Sequence, residues 1–243
     1  MKQETLFISD LHLTGSRPDV VQRFLHFIDE RASSAQRLFI LGDLFDAHIG
    51  DDNNAWPYPA IRASLKRLSA GNTALFIQQG NRDFLLGQRF CNDTGAGLLG
   101  DYHVIDLYGT PTLLTHGDLL CTDDVHYQAA RLRVRTETWK SHALSKPLWL
   151  RQLYARWYRF KSGRDKDRKS LEIMDVNHET VCAVLLEHGV TRILHGHTHR
   201  PAVHDFEVNG QSCQRFVLPE WAGQEWVLCW DKTGYWREPI APS

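Results

Sequence analysis

Seven side chains in five short polar clusters carry the chemistry for which this chain is equipped: Asp10 and His12, then Asp43, Asn81, His116, and finally His197 with His199. Imidazole and carboxylate together suit borderline cations such as Mn, Fe, Co or Zn. No cysteine falls in these clusters, so no thiolate ligand is involved. A carboxylate shared by two such ions holds them roughly 3.5–4 Å apart, and a water between them loses a proton near neutral pH and becomes a nucleophile for in-line attack. Asp43, in a tight Gly42-Asp43 turn, is the candidate bridge. One Asp-x-His pair arises by chance, whereas five clusters at equivalent places in the chain make up the ligand set of a two-metal site.

Those equivalent places are the ends of apolar, strand-like runs at residues 5–9, 37–41, 73–78, 112–115 and 192–195. In α/β folds the strand ends are where sites are assembled. Between the first runs, residues 20–32 and 56–70 carry apolar residues at helical spacing. Beyond the hairpin signal Asn209-Gly210 come strand-like runs at 215–218, 226–230 and 235–237. Parallel units first and hairpins later predict two facing sheets with helices outside, in one domain spanning 1–243. Asp51 and Asp52 read as a solvated turn, Asp123 and Asp124 as a helix cap. His195 and His204, near the last cluster, read as residues shaping the surroundings of the ligands, and His48 as a surface or packing residue.

A chain of 243 residues with 42% hydrophobic content is long enough for a two-sheet core. The net charge of -1 gives no reason to expect nucleic acid as a partner. Five cysteines, odd in number and without a Cys-x-x-Cys pair, read as reduced thiols of a cytosolic protein. The chain enters a strand directly after Glu4, which predicts no signal peptide, and no apolar run approaches the ~18 residues of a membrane span. Residues 125–169 stand apart as an insertion with little strand character. Within it, 131–169 hold 13 Lys or Arg against three acids, so this stretch is +10 and the remainder -11. On a wheel at ~100° per residue, Trp149, Leu150, Leu153, Tyr154, Trp157, Tyr158 and Phe160 share one half, with Lys161 intruding on it, while Arg151, Gln152, Arg156 and Arg159 fall on the other. A basic, aromatic amphipathic helix suits a membrane interface or an acyl-chain groove. The plainer reading is a helix packing its apolar face on the core.

The motifs Asp10-Leu11-His12, Gly42-Asp43-Leu44-Phe45-Asp46, Gly80-Asn81-Arg82-Asp83, His116-Gly117-Asp118 and Gly196-His197-Thr198-His199 resemble the calcineurin-like metallophosphoesterase signature. The resemblance implies a four-layer α/β/β/α sandwich, with 125–169 as an inserted helical lid. It implies one metal on Asp10, His12, Asp43 and His199, and a second on Asp43, Asn81, His116 and His197, with Asp46 and Asp118 orienting ligands. Arg82 departs from the general pattern, which has histidine there. Arginine does not give up its proton, but it clamps phosphate oxygens.

Longer stretches, among them Gly80-Asn81-Arg82-Asp83-Phe84-Leu85-Leu86-Gly87 and His195-Gly196-His197-Thr198-His199-Arg200-Pro201-Ala202-Val203-His204, are similar to the UDP-2,3-diacylglucosamine pyrophosphatases of lipid A synthesis in Gram-negative bacteria. That resemblance implies hydrolysis of the diphosphate of a lipid-linked sugar nucleotide to UMP and 2,3-diacylglucosamine 1-phosphate (lipid X). The α-phosphorus would be attacked by hydroxide activated by two Mn2+ ions, with Co, Fe or Zn acceptable to the same ligands. It places catalysis on Asp43, Asn81, Arg82 and His197, and substrate contacts on Asn81, Arg82, Asp124, Ser162, Lys166, Lys169 and His197. Lys166 stands where a small polar amide is expected. The implied location is cytoplasmic, peripheral on the inner membrane. Two other readings stay open: a soluble phosphodiesterase or nuclease on the same scaffold, and a non-catalytic binding module that kept the fold.

Overall fold

Strand β1 (Thr5–Ile8) runs parallel to β2 (Arg37–Leu41), β2 to β3 (Ala74–Gln78), and β3 to the short β4 (Gly97–Leu99). The hairpin β10 (Trp226–Asp231) and β11 (Gly234–Pro239) adds antiparallel to β1, giving the six-stranded order β11-β10-β1-β2-β3-β4. A second sheet contains β5 (His103–Leu107), β6 (Thr110–Leu114), β7 (Arg192–His195), β8 (Ala202–Val208) and β9 (Gln211–Val217), in the order β5-β6-β7-β9-β8. The turn between β8 and β9 uses Asn209 and Gly210, both at positive φ (52° and 77°), as the sequence predicts. This computed structural model describes residues 3–166, 175–221 and 226–240, with the side chains of 159–166 left aside.

Alternation along the central strands builds the layers. Leu6, Ile8, Leu38 and Ile40 face outward, packing beneath helices α1 (Pro18–His26), α2 (Tyr58–Ala70) and α3 (Gln88–Thr94) with Val20, Phe24, Ile61, Leu65 and Phe90. The intervening Phe7, Phe39 and Leu41 face the second sheet, meeting Leu114, Leu194 and Phe216. Phe7, Phe39 and Phe76 form a stack across the strands, with ring centroids 5.2 and 4.8 Å apart. On the far side of the second sheet, Leu113 and Ile193 pack with Val181, Val184 and Leu185, three residues of the helix His178–His188. Three buried interfaces between four layers give the expected α/β/β/α sandwich.

Among the described residues, four α-helices lie between β6 and β7: α4 (Val125–Val134), α5 (Glu137–Leu144), α6 (Leu148–Lys166) and the helix His178–His188, here α7. Among the described side chains of α4–α6, the buried ones are Arg131 and Arg151. Arg131 pairs with Asp118 (2.7 Å) and Asp101 (2.8 Å). Arg135 donates to the Gly80 carbonyl (2.8 Å) and to Gln79 (2.9 Å). Arg151 donates to the Ile49 carbonyl (2.6 Å) and forms a two-pronged pair with Asp52. These helices therefore dock on the core by charge and hydrogen bonding.

Two expectations are corrected here. Arg151, assigned to the polar half of its helix, is the buried side chain, because its partners are on the core. Trp149, Leu153, Tyr154, Trp157 and Tyr158 are instead 53–65% exposed, so the plain core-packing reading of this helix fails. The supposed solvated turn is also structural. Asp52 holds Arg151, while Asp51 accepts from His48 (2.9 Å) and from the backbone amides of Gly87 and Phe90 (3.1 and 3.0 Å) at the start of α3. Burial works against the Asp51 charge, yet these bonds outweigh it and hold its carboxyl below the ordinary range.

Candidate metal centre

The ligand candidates follow the C-terminal ends of β1, β2, β3, β6 and β7, which are mutually parallel within each sheet. Backbone bonds join neighbouring loops within each sheet, and a bond to a side chain reaches between the sheets. Asp10 donates its amide to the Gly42 carbonyl (3.1 Å) and Gly196 donates to the His116 carbonyl (2.9 Å). The His197 amide reaches across to Asp10 Oδ2 (2.8 Å). The approach is tight: a Cβ on Gly196 would lie 2.1 Å from Asp10 Oδ2, and one on Gly80 would lie 2.1 Å from Asp43 Oδ1.

Asp10, His12 and His199 present ligand atoms within 4.8 Å of one another, as do Asp10, Asp43 and His116. Asp10 belongs to both groups. Asp43 Oδ2 stands between them, 3.9 Å from His12 Nδ1 and 3.8 Å from His116 Nε2, while its Oδ1 accepts from the Arg82 amide (2.7 Å). The Asn81 carbonyl oxygen lies 3.0 Å from both His116 Nε2 and His197 Nδ1. All seven candidates thus converge.

Three observations fit these residues to cations. Polar groups aim at one another without saturating each other: His12 Nε2 faces His199 Nε2 at 3.5 Å, and the buried His12 Nδ1 has no hydrogen-bond partner among the described residues. The backbone is strained where ligands are presented. Among the described residues, seven non-glycine residues have positive φ, and five of them are Asp10, His12, Asp43, His197 and His199. Such strain persists where the surroundings enforce it, and it clusters at functional sites. Finally, the histidines are oriented from behind. His116 Nδ1 donates to the Leu41 carbonyl (2.9 Å) and His199 Nδ1 to Glu220 (2.7 Å), so each turns Nε2 inward.

Electrostatics agree with a cation-ready site. Burial pulls His12 and His197 down to about 4, leaving them neutral at physiological pH. Burial also opposes the charge on His116, but Asp43, Asp10 and Asp118 outweigh it and push this group up to about 9. Burial pushes Asp43 up to about 7 against the pull of His116. Asp10 is also buried, but the His199 bond and the fields of His116, His199 and His12 hold it far below the ordinary range.

Residues 4–201 match the model of the calcineurin-like phosphoesterases. The chain belongs to that family. This phosphoesterase is 46% identical to the UDP-2,3-diacylglucosamine hydrolase of Pseudomonas paraeruginosa, over 97% of this chain and 98% of the relative. It is 47% identical to the protein of the same name from Marinobacter nauticus, over 92% of each chain. Among solved structures, an archaeal phosphodiesterase superposes with a TM-score of 0.48 at 13% identity, covering 98% of this chain and 100% of that one.

The remaining site candidates of the phosphoesterase lie at different distances from the centre. Arg82 lies beside the centre, 3.8 Å from Asp46. Asp124 caps α4 through the Tyr127 amide (3.1 Å). Ser162 and Lys166 lie on the last turns of α6, where side chains are not described, and Lys169 lies outside the described residues. Asp118, expected to orient ligands, has the insertion as its hydrogen-bonding partner: Tyr127 (2.6 Å) and Arg131 (2.7 Å), with Arg135 at 3.7 Å. Burial disfavours its charge, but His116, Arg131, His197 and Arg135 overcome that and keep the carboxyl well below its usual range. His195 lies buried with Nδ1 donating to the Gly196 carbonyl (2.8 Å), and His204 is exposed on β8.

Sequence reasoning missed two supports. Asp83, fully buried, accepts from the amides of Gly80 (2.7 Å), Leu44 (2.8 Å) and Asp43 (3.3 Å), tying the Asn81 loop to the Asp43 loop. Its place in the Gly80-Asn81-Arg82-Asp83 motif was a signal. Glu220 sits after β9 and had none.

Proposed function

We propose that the chain hydrolyses the diphosphate of UDP-2,3-diacylglucosamine to UMP and 2,3-diacylglucosamine 1-phosphate. One metal belongs on Asp10, His12, Asp43 and His199, the other on Asp43, Asn81, His116 and His197, with Mn2+ as the working ion. Two divalent cations supply water activation and charge for the phosphoryl oxygens. Asp43, held through Oδ1 by the Arg82 amide, keeps Oδ2 toward both histidine groups. Glu220 and Leu41 fix the imidazoles. Arg82 clamps the phosphoryl oxygens.

The observation that carries this reading is Arg82 beside Asn81 at a complete ligand set. An alkoxide leaving group needs a proton, but the group expelled from a diphosphate is a phosphate monoester, a stable anion. A fixed cation serves that departure better than a general acid does. The second support is the outward apolar face of α6. With its basic neighbours it suits acyl chains and an anionic lipid surface, which supports a peripheral position on the cytoplasmic face of the inner membrane, with 125–169 as a lid. Asp124, Ser162, Lys166 and Lys169 are the candidates for contact with the substrate head group. A soluble phosphodiesterase or nuclease would have no use for that face.

Mn-dependent release of UMP from the diacylated substrate, compared with the non-acylated nucleotide sugar, tests the reading. The diacylated substrate turns over and Asp43→Ala abolishes release. Equal rates on both substrates would remove the lid from the acyl-binding role.

A further inference from the structure

Next to the metal centre, beyond the residues assigned so far, a cleft of about 290 Å³ opens between the His197–His199 loop and the edge of the second sheet. Thr198, Arg200, Pro201, Ala202, His204 and Arg215 line it together with Asp175. Thr198 stands between a ligand candidate of each metal set, so the cleft begins one residue from the centre. It shares no residue with the Asn81–Arg82 side or with the arginines that dock the insertion.

We infer that this cleft receives the uridine half of the substrate, a pyrimidine nucleoside esterified to the phosphate held at the metals. The inference rests on the proposed reaction and names the subsite that reaction still lacks. Size is the first argument. The volume lies at the lower end of the ~300–1,000 Å³ of ligand pockets, enough for a nucleoside and too small for a diacylated sugar. Chemistry is the second. Uracil and ribose present an imide donor, carbonyl acceptors and hydroxyls along a flat apolar ring.

The cleft offers matching groups. The Thr198 hydroxyl is buried and makes no hydrogen bond among the described residues. Arg200 is joined to Asp175 at 2.9 Å, presenting a donor and an acceptor side by side. Pro201 supplies an apolar wall. Arg215 donates to His195 Nε2 (3.3 Å), and burial pulls its guanidinium below the ordinary value, a charge only partly compensated by the chain itself. His204 pairs across the strands with Arg215, so both sit at one rung of the β8–β9 ladder.

Saturation-transfer NMR with free uridine, which has no phosphate for a metal to hold, and with UMP tests the assignment. Both ligands give transfer with the intact chain. Ala202→Trp, which fills the cleft, removes the uridine signal, and Arg215→Gln weakens UMP about tenfold, the loss of one charge-assisted hydrogen bond. Circular dichroism and melting temperature establish that both variants fold. Uridine transfer unchanged in Ala202→Trp, or absent from the intact chain, overturns the inference. Binding needs no turnover, so a chain that holds uridine yet leaves the diacylated sugar nucleotide intact would sink the reaction and not the subsite.

Discussion

Glu220 and the Leu41 carbonyl decide which nitrogen of His199 and His116 faces the centre. Partners of this kind typically set metal affinity by 10- to 100-fold. Glu220→Gln should therefore weaken Mn2+ binding by about tenfold with the fold intact, as read by competition with a chelating dye. An unchanged affinity would mean Glu220 is a surface contact only. Protonation belongs to the same scale. Without metal, Asp43 titrates at about 7 and His116 at about 9, while His12 and His197 are already neutral. Metal must displace the protons on Asp43 and His116. Affinity should thus rise with pH through 7 and toward 9, by up to about tenfold per displaced proton per pH unit. Calorimetry in buffers of different ionisation enthalpy counts those protons, and a pH-independent affinity would contradict the buried pair.

At the scale of elements, the inserted helices invert the usual arrangement of a helix on a core. Their buried groups are arginines and their aromatic face is exposed. Asp118, Asp101 and Asp52 on the core explain part of the charge partition in the sequence: the acidic remainder holds down the basic insertion. The Arg151–Asp52 pair is half in solvent on the Asp52 side, which limits its coupling to about 1 kcal/mol. Arg151→Ala and Asp52→Ala should both speed hydrogen exchange in α6, and the double variant should add little to either, whereas full additivity would show that the two residues do not act as a pair. For the exposed face, Tyr154→Ser with Trp157→Ser should raise KM for the diacylated substrate by about tenfold or more, given ~1.5–3 kcal/mol for each large apolar side chain fully buried. The non-acylated nucleotide sugar provides the comparison, and an equal rise in its KM would exclude acyl contact at these positions.

Across the whole molecule, the two sheets are joined by an aromatic and aliphatic layer in which Phe39 is central, stacked on Phe7 and Phe76. The ligand candidates of the two sheets are carried by strands that this layer packs against one another. Phe39→Ala should cost about 3–5 kcal/mol in urea denaturation and should loosen metal binding in the surviving folded fraction. Metal affinity equal to that of the parent chain would show that the loops hold the centre without the interface.

The seven ligand candidates, the strands before them and the two-sheet architecture were legible in the sequence. Ligand chemistry restricts residue type, and alternation along strands restricts which side is buried, so both leave local patterns. Asp83 was visible as a motif member but not as the acceptor joining two loops. Glu220 was invisible, because a carboxylate 21 residues beyond His199 carries no spacing signal. The wheel of α6 set most apolar residues apart from most basic ones and yet could not say which half faces inward. Amphipathicity defines two faces, but their orientation depends on what the core presents, and only the tertiary structure brought Asp52 and the Ile49 carbonyl to Arg151.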